Sequence, residues 1–485
     1  MKQSTKMSTK KNAICALFAT GVSLLPALAQ AQTTTEITQE LRKTQAALTS
    51  MQARMSELEA ALKKKETPAV GMNQEQEREL NRLSVLADAQ VDNSAAMGTN
   101  RLKISGYIDP TFIYSKAQNR AGFQFLNSSL TSAGAPEFAY DNGAFAGAML
   151  DFQKEMDSGT KFRLTFMPNR IGAGNTIDGK SIVHEASIWM PIKGLDGTRL
   201  LAGQIPSWEG YEFLESYRNK MITHNLLFDL TIPASFTGVG FEKALNAKYT
   251  VKAMAANINS SKKANGEKSP ALVFRADYYD YAQEFTYLAL VGMVGKLNNF
   301  RAGANLDGSP QLNPISGVAY NARDSLVKTL ELEGGYTRGD WSIAGQVSVG
   351  TQRNSAISAD PVSGALRDSR WWGVSSTAGY KFTPQLEGNL RLDYLNNQKN
   401  GGGTFGGWNF PDSRTGLGPD PMGDQNIGAN RSEITVGMRY NFNANTMLKM
   451  EYRYDRASLP VFLDVRENVY KKDNQLLGAS MILSF

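Results

Sequence analysis

The sequence predicts an all-β protein: a 16-stranded antiparallel transmembrane β-barrel preceded by an α-helical coiled-coil segment. Three observations carry this expectation. After Asn100, apolar and polar side chains alternate along segments of about ten residues. The links between those segments alternate between brief turns and long loops rich in Gly, Asn and Ser. Past residue 31 no uninterrupted apolar run approaches the ~20 residues a spanning helix needs.

Composition narrows the function classes. The chain has 485 residues, 20% of them charged, and one cysteine. A single cysteine cannot pair within the chain, which excludes a disulfide scaffold. The formal charge is +6, but residues 1–31 hold Lys2, Lys6, Lys10 and Lys11 and no acid. Without those four lysines the 52 basic residues fall to 48, against 46 acidic ones. That balance gives no support to a nucleic-acid partner.

Four segments follow in order. Residues 1–31 read as a signal peptide: four lysines, the short apolar run Ala13 to Leu25, Pro26, then small residues in ALAQAQ. Cleavage fits after Ala29 or Ala31. Cys15 lies inside the apolar run, so the mature chain is expected to lack cysteine.

In residues 32–67 the positions Ile37, Leu41, Thr44, Leu48, Met51, Met55, Leu58 and Leu62 step alternately by four and three, and only Thr44 is polar. A mean spacing of about 3.5 keeps one narrow seam facing a partner helix, which predicts a coiled-coil oligomerisation segment. The alternative is one amphipathic helix packed on the following domain. Residues 68–100 read as a linker with a short helix centred on Leu80, Leu83 and Leu86.

Residues 101–485 carry the barrel pattern. In Leu448-Lys449-Met450-Glu451-Tyr452-Arg453-Tyr454-Asp455 one face is apolar and the other wholly charged. Strands are expected near 101–115, 144–154, 160–167, 181–190, 198–204, 237–242, 246–258, 271–279, 284–294, 326–336, 340–350, 371–382, 385–396, 431–442, 445–455 and 473–485. Long loops are expected at 116–143, 205–236, 295–325, 351–370 and 397–430. Short turns on one side and long loops on the other suit a bacterial membrane barrel of even strand number. Trp189, Trp341, Trp371, Trp372, Tyr380, Phe382, Tyr394, Tyr440, Phe442, Tyr452 and Tyr454 are expected in two aromatic girdles at headgroup level. Small residues in the second to fifth strands suggest a wall that faces another protomer.

A signal peptide, alternating strands and a final Phe485 resemble Gram-negative trimeric porins over roughly 101–485. The coiled coil ahead of the barrel is similar to the neck of dicarboxylate-type porins. Gly203-Gln204-Ile205-Pro206-Ser207-Trp208-Glu209-Gly210-Tyr211-Glu212, with Asn225 and Thr237-Gly238-Val239, resembles an OmpL-like group of porins. The resemblance implies a passive diffusion channel for small hydrophilic solutes or ions, set in outer-membrane lipid as a homotrimer, with its neck in the periplasm and no cofactor.

The polar rows of the patterned strands are expected to line the channel: Lys103, Lys161, Arg163, Arg275, Asp277, Glu331, Glu333, Arg391, Asp393, Arg439, Lys449, Glu451, Arg453 and Asp455, with Asp109, Glu387 and Glu433. Eight basic groups among them meet nine acidic ones, which predicts weak ion selectivity. Pairing across neighbouring strands is the alternative role for each. In the porins this sequence resembles, the corresponding loop after the fifth strand folds into the barrel and narrows it. Here that loop, 205–236, carries Glu209, Glu212 and Glu215 against Arg218 and Lys220, with Asp229, His224 and several aromatic residues. Acid on one wall and base on the other would set a transverse field.

Other classes fit less well. His184 and His224 are the only histidines, and neither stands near a Gly-x-Ser-x-Gly setting, so no enzyme is expected. His184 shares parity with Ile182, Ala186 and Ile188, which suggests a structural or interface role. The segment from Asp412 to Asp424 lacks the regular acidic spacing of a calcium loop. The remaining alternative is a structural barrel, a tether or adhesin without an open pore.

Overall fold

The computed structural model describes residues 101–485 except 126–145, 168–181, 260–266, 281–284, 298, 300–310, 321–324 and 406–416. The signal peptide, the seam from Ile37 to Leu62 and the linker helix therefore lie outside the described residues.

The strands in chain order are β1 (Leu102–Ile108), β2 (Thr111–Ser115), β3 (Arg120–Gln124), β4 (Ala148–Glu155), β5 (Lys161–Phe166), β6 (Val183–Pro191) and β7 (Thr198–Pro206). A short helix α1 (Leu226–Thr231) precedes β8 (Ser235–Ala244), β9 (Tyr249–Ile258), β10 (Ala271–Asp280), β11 (Phe285–Leu297), β12 (Ser325–Arg338) and β13 (Trp341–Gln352). Then come β14 (Ser369–Lys381), β15 (Leu386–Asn396), β16 (Arg431–Asn441), β17 (Thr446–Ala457), the small pair β18 (Phe462–Asp464) and β19 (Val469–Lys471), and β20 (Asp473–Ser484).

Each wall strand pairs antiparallel with its sequence neighbours, and β20 pairs with both β17 and the β1–β2 strand. The sheet closes. With β1–β2 forming one wall strand and β3–β4 another, the barrel has sixteen. At the seam, Gly106 and Phe485 exchange backbone hydrogen bonds of 3.1 and 3.0 Å. The Phe485 ring and the Met149 carbonyl fill the space where a Cβ on residue 106 would sit, so glycine is required by contact there.

The first long loop is placed differently from the expectation of 116–143. A tight turn follows Ser115, and β3 returns along β2 with Phe112 edge-on to Phe123 at 5.4 Å. Beside β1, the second wall strand is formed by β4 from Ala148 onward. Pro110 breaks the first wall strand at the same level, because proline offers no ladder N–H. The two strands with the weakest pattern are both present, at Thr198–Pro206 and Ser235–Ala244.

Apolar and polar side chains are partitioned in reverse of a soluble protein. Leu390, Leu392, Val436 and Tyr452 point outward and are 41–55% exposed, whereas their sequence neighbours Arg391, Thr435 and Arg453 point inward and are buried. An outer skin of this kind is stable in hydrocarbon, and closure leaves no unpaired edge there. Aromatic groups gather outside near the short turns, with Trp341 4.6 Å from Tyr380 and Tyr440 5.0 Å from Phe442. Trp372 and Tyr394 pair at 5.3 Å toward the other end. Trp189 and Trp371 do not join these girdles. Trp371 faces inward and is buried, and Trp189 donates to Ser187 Oγ at 3.3 Å on the inner face.

Arginine at the middle of the outer skin is expected to cost about 2–4 kcal/mol in a lipid bilayer. Val436→Arg should therefore lower the unfolding free energy by about that much in urea titrations of vesicle-inserted protein. A charge placed on the exposed surface loop, as in Val362→Arg, should leave it unchanged within about 0.5 kcal/mol.

Candidate functional site

The segment 207–234, between β7 and β8, lies inside the barrel, and much of it is buried. Its local structure follows from a few residues. Asn225 caps α1 by accepting from the amides of Leu227 and Phe228 at 2.9 and 2.8 Å. Ile232-Pro233 stops the helix after two turns at most, since the residue before proline is pushed to extended conformation. Leu226, Leu227 and Leu230 are buried in an apolar cluster with Val273, Val291, Trp371 and Leu395 of the inner wall.

A backbone inside a barrel has no ladder to complete its hydrogen bonds, so its polar groups need other partners. Wall carboxylates accept from its amides. Glu331 Oε1 takes the Gly210 N–H at 2.6 Å, Glu451 Oε2 takes those of Ile222 and Thr223 at 2.6 and 3.1 Å, and Asp393 takes that of Leu226 at 3.1 Å. Wall cations donate to its carbonyls. Lys449 Nζ reaches those of Ser216, Asn219 and Met221 at 2.5, 2.6 and 3.1 Å. Arg391 reaches Thr223 and His224 at 2.6 and 3.0 Å, Arg453 reaches His224 at 2.8 Å, and Arg275 holds the Trp208 carbonyl.

The expected channel-lining row is thus inward-facing, but much of it does not meet water. Arg391 and Arg453 are fully buried and Lys449 and Glu451 nearly so, because the loop covers them. Arg391 also pairs with Glu212 at 3.0 Å, Glu433 at 2.6 Å and Asp393 at 3.5 Å. Arg453 pairs with Glu433 and Asp455 at 3.0 Å each, and Asp455 also takes Arg431. Lys220 and Arg439 share Glu387. Lys161 stays half-exposed beside Glu155, and Lys103 is exposed at the end of β1.

A cavity of about 620 Å3 remains between the loop and the wall, with Arg163, Glu185, Glu215, Arg218, Lys252 and Glu333 among its charged lining. Trp189, Trp208, Phe213, Tyr279 and Tyr287 supply aromatic surface. Arg163 bridges Asp151 and Glu185 at 2.9 Å each and approaches Glu215 at 4.0 Å, and Arg218 lies 3.6 Å from Glu215. Arg275 pairs with Asp277 at 2.6 Å and Glu333 at 2.7 Å. The charges are interleaved in pairs rather than split between opposite walls, so a transverse field from loop to wall is not what this arrangement builds. The reason is the loop itself: Glu209 and Glu212 turn toward the barrel wall, where Thr329 and Arg391 hold them.

Several charged residues of the site carried a weak sequence signal. Asp151 alternates with Gln153 and Glu155 and was legible as an inward row. Glu185 was hidden because His184 beside it is also polar. A register shift opposite Thr165 and Phe166 gives β6 an extra residue there. That bulge buries both His184 and Glu185, whereas parity alone grouped His184 with Ile182, Ala186 and Ile188.

His224 is enclosed by the loop. Its ring stacks on Phe228 at 4.0 Å and its Nε2 donates to the Phe213 carbonyl at 2.7 Å. Burial, reinforced by Arg391, Lys449 and Arg453, pushes the imidazole down to about 3.

A family model described as a protein of unknown function, DUF3138, matches residues 73–485, and the chain belongs to that family. No curated protein matches it. Among solved structures, the chain is similar to the outer membrane channel DcaP of Acinetobacter baumannii at 14% identity, with 79% of this chain and 97% of that chain covered and a TM-score of 0.47. It is also similar to OprB of Pseudomonas putida at 9% identity, with 81% and 96% covered and a TM-score of 0.48.

Replacing Arg391 removes one donor from each of Glu212, Glu433 and the Thr223 and His224 carbonyls. Arg391→Met is expected to cost about 3–5 kcal/mol and to expose the 207–234 segment to limited proteolysis. His224 adds an acid response. Between its ordinary value of 6.5 and about 3 the released loop binds a proton that the docked loop refuses. Loop docking should therefore weaken as pH falls through that window. Proteolysis at graded pH should show the histidine-linked part of this loss in the wild type and not in His224→Gln.

Proposed function

We propose that this DUF3138 protein is a Gram-negative outer-membrane porin, a passive diffusion channel for small hydrophilic solutes or ions. One observation carries the reading: a closed barrel with an apolar exterior encloses a charged, water-accessible cavity beside an inserted loop. An outer skin that partitions into lipid and an interior that keeps water are the two halves of a pore. No bond is made or broken. Solute moves down its gradient along Arg163, Glu215 and Arg218, and because cavity charges are largely paired the field on a passing ion is weak.

The remaining segments complete this proposal. Residues 1–31 direct export, 32–67 join three copies through the seam at Ile37, Leu41, Leu48, Met51, Met55, Leu58 and Leu62, 68–100 link that periplasmic neck to the membrane, and 101–485 form the barrel. Glu215 and Arg218 stand at the constriction. Glu209, Glu212 and Lys220 hold the loop that shapes it.

A second reading has its own support. The apolar cluster around Leu226, Leu227, Trp371 and Leu395 keeps one side of the lumen dry, as a sealed structural tether would require. Adding the purified full-length protein to a planar lipid bilayer separates the two. The porin reading expects stepwise conductance in groups of three. Insertion without conductance would instead support the tether.

A further inference from the structure

This inference rests on the channel reading and concerns regulation of the same cavity. At the first turn of the inserted loop, Glu209 meets Glu331 and Glu333 of β12, and all three are buried. Both oxygens of Glu331 are engaged, one by the Gly210 N–H at 2.6 Å and the other by the Gln346 amide of β13 at 3.0 Å. One oxygen of Glu209 accepts from Thr329 at 3.0 Å, and one of Glu333 pairs with Arg275. Their second oxygens, Glu209 Oε2 and Glu333 Oε2, are buried without a hydrogen-bond partner among the described residues.

The charges facing this turn do not balance. From β10 come Arg275, Asp277 and the Tyr279 ring, from β11 Tyr287, and from β9 Lys252, which stands 3.9 Å from Asp277. Among the described residues, four carboxyl groups thus meet two cations, Arg275 and Lys252. Two uncompensated charges away from water are far more costly than a carboxylic acid holding its proton.

We propose that the root of the inserted loop is latched to the wall by a proton that Glu209 holds beside Glu331 and Glu333, and that losing it turns Glu209 into the cavity. The docked loop then binds a proton that a water-facing Glu209 would not. Burial, countered in part by Thr329, pushes Glu209 up to about 8. Docking is therefore fully favoured below the ordinary glutamate value of 4.5 and is weakened as pH rises from there through about 8. Once free, the Glu209 carboxylate adds a negative charge to the passage beside Arg275 and Lys252, so cations gain at the expense of anions.

The experiment is the reversal potential of the full-length channel in a KCl gradient, from about pH 6 to about pH 9.5. The wild type should show the cation-to-anion permeability ratio rising by about threefold around pH 8, and Glu209→Gln should stay at the low-pH ratio throughout. A wild type that stays flat, or a Glu209→Gln profile that follows the wild type, overturns the latch. Silence of both proteins in the bilayer overturns the channel reading instead. The latch is then read from Trp208, next to Glu209, as the emission difference between wild type and Trp208→Phe. A shift with a midpoint near pH 8 that Glu209→Gln abolishes supports it, and an emission independent of pH rejects it.

Discussion

A polypeptide that enters a barrel carries peptide groups away from both water and the β-ladder, and every one of them needs a partner. That requirement governs this structure. The partners are charged side chains on the inner rows of β10, β12, β15 and β17: Glu331, Asp393 and Glu451 for the amides, and Arg275, Arg391, Lys449 and Arg453 for the carbonyls. A buried charge is costly when isolated, and a buried peptide group is costly when unpaired. Here each relieves the other. The position of the loop therefore depends on ion pairs within the wall, such as Arg391 with Glu433, because an unpaired arginine would turn its donors elsewhere.

The loop divides the lumen into regions of different character. Its helix packs leucines against Val273, Val291, Trp371 and Leu395, and this cluster is dry. Toward β5 and β6 the loop stands back, and Arg163, Glu185, Glu215 and Arg218 border the cavity. The same cavity also reaches Lys252, Arg275, Tyr279, Tyr287 and Glu333 on β9 to β12. The inner charges thus divide into a set that holds the loop and a smaller set that a solute could meet, and the balance of eight bases to nine acids describes neither set alone.

The barrel was legible because alternation is a local property. A strand with lipid on one side and polar contacts on the other must repeat every two residues, and sixteen such segments with alternating link lengths leave little freedom in topology. Where a segment was short, the signal failed. The five residues of β3 carry too little pattern, so 116–143 read as one loop. Trp371 was a different miss. It adjoins Trp372, and adjacent strand residues face opposite sides, so the parity of Trp372 with Val374 already placed Trp371 inside.

The candidate site was legible in its parts and not in its joins. Glu212 and Arg391 are each plain as charged residues, yet they lie 179 positions apart and nothing local connects them. The same holds for Glu209 with Thr329 and for Ile222 with Glu451. Bulges are also invisible to parity, as at His184. The most direct test of the central claim is amide hydrogen exchange on the folded barrel. Clamped by wall carboxylates, the amides of Gly210, Ile222, Thr223 and Leu226 should exchange as slowly as those of the neighbouring strands. Exchange at the rate of an open surface loop would contradict the account.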